Sequence, residues 1–306
     1  MSALSNAETK AEFSIHPDTR IGTVSLKVAV LENQITFYQQ ALGFQLHWRE
    51  GNRAGLGAGG ADLLRLEEQP DLKRYSRVTG LYHFAVLFPD RRELARALAR
   101  LFVLKYPNHP TDHIMTKTTY LDDPEGNGIE LYCESPEDGT WRMTNGEYVT
   151  RRADGSLSDG REPLDVDALL SHLREDDRLD VTIPPATRVG HIHLHIRDID
   201  EAVDFYHGVL GFDVMGVVKS FRMAFVSAGG YHHHIGLNTW QGEDAPPPPA
   251  DAMGLRHFTV ALPDQTALDE VIARVERAGI PANQTEEGLL FYDPSQNGVI
   301  LTLGKT

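Results

Sequence analysis

The sequence predicts an α+β fold in which four βαβββ units pair into two cup-shaped mixed sheets. Two observations predict this fold. The chain contains two pairs of closely similar segments, and in each segment a short alternating strand leads into an amphipathic helix. A single unit would leave the apolar face of its sheet exposed, so we expect the units to pair and bury that face.

The first pair of similar segments comprises residues 21–44, IGTVSLKVAVLENQITFYQQALGF, and residues 189–212, VGHIHLHIRDIDEAVDFYHGVLGF. Each begins with the alternation typical of a strand and continues into an amphipathic stretch with a Phe-Tyr pair. Each ends on Leu-Gly-Phe, where the glycine suits the residue after a helix. Further strands are predicted over residues 46–49, 62–67, 213–218, 223–226 and 231–238.

The second pair comprises residues 80–90, GLYHFAVLFPD, and residues 254–264, GLRHFTVALPD. Helices are predicted directly after them, over residues 91–101 and 265–278, because apolar residues recur there at helical spacing. Each unit then closes with a strand, a turn and a strand, in TYLDDPEGNGIELY and LFYDPSQNGVILTL. Asp-Pro followed by Gly or Asn-Gly indicates a hairpin.

These repeats predict the domain organisation of the chain. A tail over residues 1–20 precedes a first half, 21–135, which holds units one and two. A connector over 136–187 precedes a second half, 188–306, which holds units three and four. The connector is polar and rich in turn residues, and one helix is predicted in it over residues 165–176.

Composition excludes several classes of partner. A formal net charge of -15 argues against a nucleic-acid or anionic-membrane surface. No apolar run approaches the roughly 20 residues of a membrane span, and the polar residues 1–13 resemble neither a signal peptide nor an anchor. The single cysteine, Cys133, allows no intramolecular disulfide, which fits a reducing compartment. We therefore expect a cytoplasmic enzyme.

Several motifs together resemble a known superfamily. The βαβββ repeat, the FY…LGF helix end and DPEGNGIEL are similar to the glyoxalase/bleomycin-resistance/extradiol-dioxygenase superfamily, which has the vicinal oxygen chelate fold. GHIHLHI, GLYHFAVLFPD and GGYHHHIGLNTW resemble its catechol 2,3-dioxygenase branch. The resemblance implies an extradiol dioxygenase that uses O₂ to cleave a small aromatic diol, catechol or a substituted catechol, beside one hydroxyl.

The resemblance also implies where metal ligands lie. Members with a metal use the histidine beside the glycine of a unit's first strand, which is His191 in unit three. The corresponding histidines are His83 in unit two and His257 in unit four. The closing strand supplies the carboxylate, which is Glu130 in unit two.

Only one pairing of the units completes a ligand set. Thr23 replaces the histidine in unit one, and Ile300 replaces the carboxylate in unit four. Pairing in chain order would leave each cup one ligand short. Pairing unit two with unit three unites His83, Glu130 and His191. We therefore expect that pairing, with units one and four forming a cup without a metal.

Two imidazoles and one carboxylate on one side of a metal form the facial triad of non-haem Fe(II) oxygenases. The positions left open can accept a catecholate and O₂. Fe(II) is therefore the expected cofactor, and Mn(II) stays open because its ligand preferences are similar. No nucleic acid and no membrane is expected as a partner, and a homo-oligomer stays open.

Three further residues are implied as catalytic. The segment 229–237 resembles the extradiol segment that carries an acid–base histidine, which corresponds to His233. A neutral imidazole can accept and return a proton near pH 7. Tyr120 matches a tyrosine that hydrogen-bonds the substrate oxygen. Either His109 or His113 would supply another substrate contact, with His113 favoured. In an extended strand, the histidines on either side of His233 would face away from it.

Three other functions stay open at this point. A hydroquinone-cleaving dioxygenase would use the same triad. A glyoxalase-type isomerase or lyase usually has a second carboxylate on its metal. A non-catalytic module that binds an aromatic compound or antibiotic would need no metal, so metal content distinguishes it from the enzymes.

Overall fold

The computed structural model describes residues 13–144 and 147–304. The predicted fold of four βαβββ units is confirmed within this part of the chain. Residues 1–12 of the predicted tail lie outside the described residues, whereas Ile15 is buried and its N–H bonds to the carbonyl of Gly211. No helix in the described ranges combines the length and the hydrophobicity that a membrane-crossing helix needs.

Units one and two follow the predicted order of strand, helix and three strands. Unit one consists of β1 (Arg20–Val28), α1 (Leu31–Gln40), β2 (Gln45–Glu50), β3 (Arg53–Gly57) and β4 (Asp62–Glu68). Unit two consists of β5 (Gly80–Leu87), α2 (Arg91–Val103), β6 (His109–Asp112), β7 (Thr116–Asp122) and β8 (Gly128–Glu134). The helix α2 begins where Asp90 accepts a hydrogen bond from the N–H of Glu93, a side-chain cap of its N-terminus.

The connector contains more regular structure than the sequence predicts. Its elements are β9 (Gly139–Thr144), β10 (Glu147–Arg152), β11 (Leu157–Ser158), β12 (Glu162–Pro163) and α3 (Val166–Leu170). The helix predicted over residues 165–176 is therefore too long, and the strands were not predicted. A hairpin signal, Asn145-Gly146 between alternating residues, is present in the sequence.

Units three and four repeat the same order. Unit three consists of β13 (Arg188–His195), α4 (Ile199–Val203) continued by a π-helical turn (Asp204–Val209), β14 (Asp213–Val218), β15 (Met223–Ser227) and β16 (Ile235–Asn238). Unit four consists of β17 (Gly254–Leu262), α5 (Gln265–Arg277), β18 (Asn283–Thr285), β19 (Gly288–Tyr292) and β20 (Gly298–Leu303).

One predicted strand of unit three is wrong in its first half. Residues 231–234 form a bend, and β16 begins only at Ile235. Gly229 and Gly230 precede the bend with φ values of 62° and 74°, in the left-handed region that glycine adopts without strain. Since the segment is not extended, its histidines do not alternate in direction as a strand would require.

The strands form two large sheets that pair the units as the ligand count requires. The order of the eight-stranded sheet is β18-β19-β20-β17-β1-β4-β3-β2, from units four and one. The order of the nine-stranded sheet is β12-β6-β7-β8-β5-β13-β16-β15-β14, from the connector and units two and three. In each sheet the first strands of two units pair antiparallel, β1 with β17 and β5 with β13. The predicted pairing of unit two with unit three is confirmed.

A buried tyrosine–aspartate bond connects units that do not share a sheet. The hydroxyl of Tyr38 on α1 donates to Asp123 in the turn before β8, at 3.0 Å. Tyr206 of unit three donates to Asp293 of unit four at the same distance, 3.0 Å. The tyrosine of each Phe-Tyr pair therefore links its helix to the Asp-Pro turn of the next unit. Burial raises the pKa of Asp293 to about 6, although hydrogen bonds from Asn297 and Tyr206 lower it.

Tyr38→Phe should lower the free energy of unfolding by about 1–3 kcal/mol, because Asp123 loses a hydrogen-bond donor in a buried position. Tyr206→Phe is the matched variant in the other half and should have a similar effect. Urea unfolding followed by circular dichroism measures both. A loss below about 0.5 kcal/mol in each variant would show that these bonds contribute nothing net to stability.

Candidate metal centre

Three buried side chains from the nine-stranded sheet converge on one point. The Nε2 atoms of His83 on β5 and His191 on β13 lie 3.3 Å apart. One carboxylate oxygen of Glu130 on β8 lies 3.2 Å from the former and 3.0 Å from the latter. Among the described residues, these three form the one group of histidine, cysteine and acidic side chains with metal-binding spacing.

The register of three neighbouring strands brings these residues together. β5 pairs antiparallel with β13, so that Ala85 lies opposite His191. β5 also pairs parallel with β8, where the same Ala85 lies beside Glu130. The glycine before His191 is required by packing, because a Cβ at Gly190 would lie 1.8 Å from the hydroxyl oxygen of Tyr132. This explains the glycine beside the histidine in the sequence motif.

The carboxylate of Glu130 is held in a fixed orientation. One of its oxygens accepts a hydrogen bond of 2.9 Å from the hydroxyl of Thr118, which leaves the other oxygen directed at the two imidazoles. Burial alone would raise the pKa of Glu130, but the nearby His191 and His83 outweigh it and hold that pKa well below its usual range. Burial lowers the pKa of His191 to about 4. The group is therefore a carboxylate facing a neutral imidazole of His191.

The donor set fits a divalent cation. A metal about 2.1 Å from each ligand would place neighbouring octahedral ligands roughly 3.0 Å apart, close to the three spacings present. Two imidazole nitrogens that face one another cannot both carry a proton, whereas both lone pairs can bind one cation.

Neither Nδ1 of these histidines has a hydrogen-bond partner among the described residues. The strand pairing and the ring packing therefore hold the rings in place.

The corresponding positions of the eight-stranded sheet do not form such a group. Thr23 donates its hydroxyl to the carbonyl of Asp62, and the side chain of Ile300, which is buried, offers no ligand atom. The Nε2 of His257 lies 3.4 Å from Glu287, whose carboxylate also pairs with Arg65 at 2.6 Å. His257 and Arg65 therefore both contact the carboxylate of Glu287.

The three converging residues line a cavity of about 360 Å³ in the concave side of the nine-stranded sheet. This volume lies in the usual range for small-molecule sites. Much of the wall is aromatic or thioether, from Met115, Trp141, Tyr148, Phe225 and Trp240. Trp141 and Tyr148 come from the connector strands and stack with ring centroids 5.0 Å apart. The connector therefore builds one wall of the cavity, which the sequence analysis did not predict.

His233 lines the same cavity beside the converging group. Its ring centroid lies 4.2 Å from that of His191 and 4.8 Å from that of Phe225. Burial, followed by the neighbouring histidines, lowers the pKa of His233 well below its usual value, so its imidazole is neutral at pH 7. Its Nδ1 lies 2.9 Å from the Nδ1 of His232. His232 was predicted to face away from His233, and this prediction is wrong because residues 231–234 form a bend in which the two rings contact each other.

Tyr120 and His113 form a hydrogen-bonded pair in the cavity. The carbonyl of Gly160 lies 2.7 Å from the Nδ1 of His113, which must therefore donate to it. In neutral His113 the Nε2 then accepts from the hydroxyl of Tyr120, at 2.9 Å. Burial and the charge of Glu130 raise the pKa of Tyr120 well above its usual value, so its hydroxyl keeps its proton. His109, the alternative, is exposed.

Comparisons with known proteins agree with this architecture. The model of the Glyoxalase/Bleomycin resistance protein/Dioxygenase superfamily matches residues 20–131 and 188–300. The chain is 42% identical over 290 residues to a catechol-2,3-dioxygenase of Bacillus subtilis (strain 168), covering 94% of this chain and 98% of the relative.

Two solved structures share the fold at low sequence identity. A Bacillus subtilis subsp. subtilis str. 168 protein, described provisionally as a dioxygenase, has a TM-score of 0.63 at 12% identity, with 96% of this chain and 87% of the other covered. Glyoxalase I from Zea mays has a TM-score of 0.54 at 15% identity, with coverage of 93% and 92%. At these identities the likeness shows the vicinal oxygen chelate fold and nothing about the reaction.

The wild-type chain should bind about one divalent cation, and Glu130→Ala should abolish that binding because two imidazoles alone hold a hard cation weakly. His257→Ala is the matched control, since it removes the corresponding histidine of the other sheet. Anaerobic incubation with Fe(II), desalting and elemental analysis give the metal content. Full occupancy in Glu130→Ala, or its loss in His257→Ala, would contradict the assignment.

Proposed function

The chain belongs to the Glyoxalase/Bleomycin resistance protein/Dioxygenase superfamily, and we propose that it is an extradiol dioxygenase that cleaves catechol or a substituted catechol. The observation that carries this proposal is the convergence of His83, Glu130 and His191 on one point of an aromatic cavity. Its relative of 42% identity, named a catechol-2,3-dioxygenase, supports the same reaction.

Fe(II) is the proposed cofactor, and Mn(II) is the alternative with similar ligand preferences. His83, Glu130 and His191 would hold it. When bound, the ion supplies a positively charged centre with open coordination positions, at which a catecholate and O₂ can be activated together. The carboxylate is the one anionic ligand of the group, so the site would keep a net positive charge that favours an ionised diol.

His233 is proposed as the acid–base residue. Its neutral imidazole lies at the cavity wall beside His191, where it can accept a proton from a diol hydroxyl. An imidazole that has accepted this proton can return it during ring opening. The product would be a ring-opened semialdehyde.

Tyr120 and His113 are proposed to orient the diol. The hydroxyl of Tyr120 stays protonated. Tyr120 pairs directly with Glu130 across β7 and β8, so its side chain is near the converging group. His113 is anchored by the connector carbonyl of Gly160, which fixes the direction of the hydrogen bond between the two side chains. A diol hydroxyl bound there would meet the Tyr120 oxygen as an acceptor of fixed position, because the proton of Tyr120 is donated to His113.

The cavity favours an aromatic ring as the substrate. Its walls carry aromatic rings against which a planar ring can pack. The converging group contains a single carboxylate, whereas a glyoxalase-type isomerase usually has two. A hydroquinone ring would fit the same walls, and only turnover separates it from catechol.

Turnover with defined substrates tests the proposal. The Fe(II)-loaded chain should consume about one O₂ per catechol or 4-methylcatechol and form a yellow product. Hydroquinone, and the adduct of methylglyoxal with glutathione, serve as the substrates of the rival functions. A fully loaded protein that leaves both catechols unchanged, or that turns over a rival substrate faster, would overturn the assignment.

His233→Ala should lower kcat for catechol cleavage by about 10²–10⁴, the usual cost of losing a general acid–base group. Its metal content should stay at the wild-type value, because His233 is not in the ligand group. His257→Ala serves again as the control and should keep its activity. Stopped-flow absorbance of the product measures kcat, and an unchanged kcat in His233→Ala would remove this residue from the reaction.

A further inference from the structure

A chain of hydrogen bonds continues from His233 away from the cavity. The Nδ1 of His232 lies 2.9 Å from the Nδ1 of His233, and its Nε2 lies 3.2 Å from a carboxylate oxygen of Glu134. The same oxygen accepts a bond of 2.5 Å from the hydroxyl of Tyr231, which in turn lies 2.5 Å from the hydroxyl of Tyr132. His232 is buried, whereas the side chain of Glu134 is 33% exposed.

The chemistry of these groups fixes which atom donates in each bond. Burial alone would raise the pKa of Glu134, but the hydrogen bonds from His232 and Tyr231 outweigh it and lower the pKa. An ionised carboxylate can only accept, so His232 must donate from Nε2. In neutral His232 the Nδ1 then carries a lone pair and accepts from the Nδ1–H of His233. Neutral His233 therefore has its remaining lone pair on Nε2.

We propose that Glu134 and His232 are positioning residues, which hold His233 in the tautomer whose Nε2 lone pair can accept a proton in the cavity. This inference rests on the proposed function, because it assigns the partners of its acid–base residue. Among the described residues the Nε2 of His233 has no hydrogen-bond partner, and His233 lines the cavity. A protonated Nε2 would be a donor and could not act as the base.

The strand β8 carries both the proposed carboxylate ligand, Glu130, and the proposed positioning carboxylate, Glu134. Alternate residues of a strand share a face, so Glu130, Tyr132 and Glu134 lie on the side of the sheet that faces the cavity. Glu130 belongs to the ligand group, whereas Glu134 lies beyond it and contacts the bend that carries His232. Glu134 would fix the tautomer of His232, and His232 would in turn fix the tautomer of His233, as an acid does for a histidine in a catalytic triad.

The tautomer of His233 can be observed directly, without turnover. Long-range ¹⁵N–¹H spectra of the full chain, without added metal and then with diamagnetic Zn(II), distinguish an imidazole protonated at Nδ1 from one protonated at Nε2. The wild type should show Nδ1–H at His233. Glu134→Leu should shift His233 toward Nε2–H, because His232 no longer has to donate from Nε2. Tyr231→Phe removes the other donor to the same carboxylate, together with the bond to Tyr132, and should keep the wild-type tautomer.

Kinetics of a double-mutant cycle give the second readout. Glu134→Leu should lower kcat about 10- to 100-fold with an unchanged KM and metal content, the usual cost of losing an orienting partner. His232→Asn can present its amide oxygen where the Nδ1 of His232 lay, without help from Glu134. Adding Glu134→Leu to His232→Asn should therefore cost no further activity, which is the non-additivity of residues acting in one chain.

Each result decides the inference separately from the proposed function. If the wild type cleaved no diol, the proposed dioxygenase function would be wrong, but the spectra would still report the tautomer of His233. Wild-type Nε2–H at His233, an unchanged tautomer in Glu134→Leu, or additive kinetic effects would overturn the inference in an active enzyme. Should Glu134→Leu not fold, His232→Asn and His232→Leu replace it. The former should keep the wild-type tautomer and the latter lose it, and equal behaviour would contradict the proposal.

Discussion

The antiparallel pairing of β5 with β13 is the interaction on which the rest of this structure depends. It joins the second unit to the third and sets Ala85 opposite His191, while β8 brings Glu130 beside the same Ala85. A shift of one residue would turn one imidazole to the helix side of the sheet, because side chains alternate along a strand. The candidate metal group, the cavity and the position of His233 all follow from this register.

The sheets and the buried tyrosine bonds connect the units in two different ways. Strands pair unit two with unit three, whereas Tyr38 bonds to Asp123 and so links unit one to unit two. Tyr206 and Asp293 repeat that link between units three and four. Each sheet is thus tied to the other through both halves of the chain. Among the described residues, the eight-stranded sheet has no group of ligands with metal-binding spacing, and its His257 contacts Glu287 instead.

Most of the fold could be predicted from the sequence because each repeat carries local signals. Alternation, helical periodicity and the Asp caps of α2 and α5 depend only on neighbouring residues. The positions of the ligands also predicted which units pair. Thr23 and Ile300 cannot bind a metal, so a full ligand set forms only when unit two pairs with unit three. The connector was harder to predict because its strands are short and polar, although Asn145-Gly146 was a usable hairpin signal. The contact of His232 with Glu134 joins residues 98 apart in sequence through a bend, so no local pattern reveals it.

The most direct test of this account is anomalous diffraction at the iron edge, from crystals grown anaerobically with Fe(II) and 4-methylcatechol. We expect one strong peak within bonding distance of the Nε2 atoms of His83 and His191 and of a carboxylate oxygen of Glu130. The diol should lie against that peak, between Tyr120 and His233. A peak at His257, or iron bound away from these three ligands, would contradict the account.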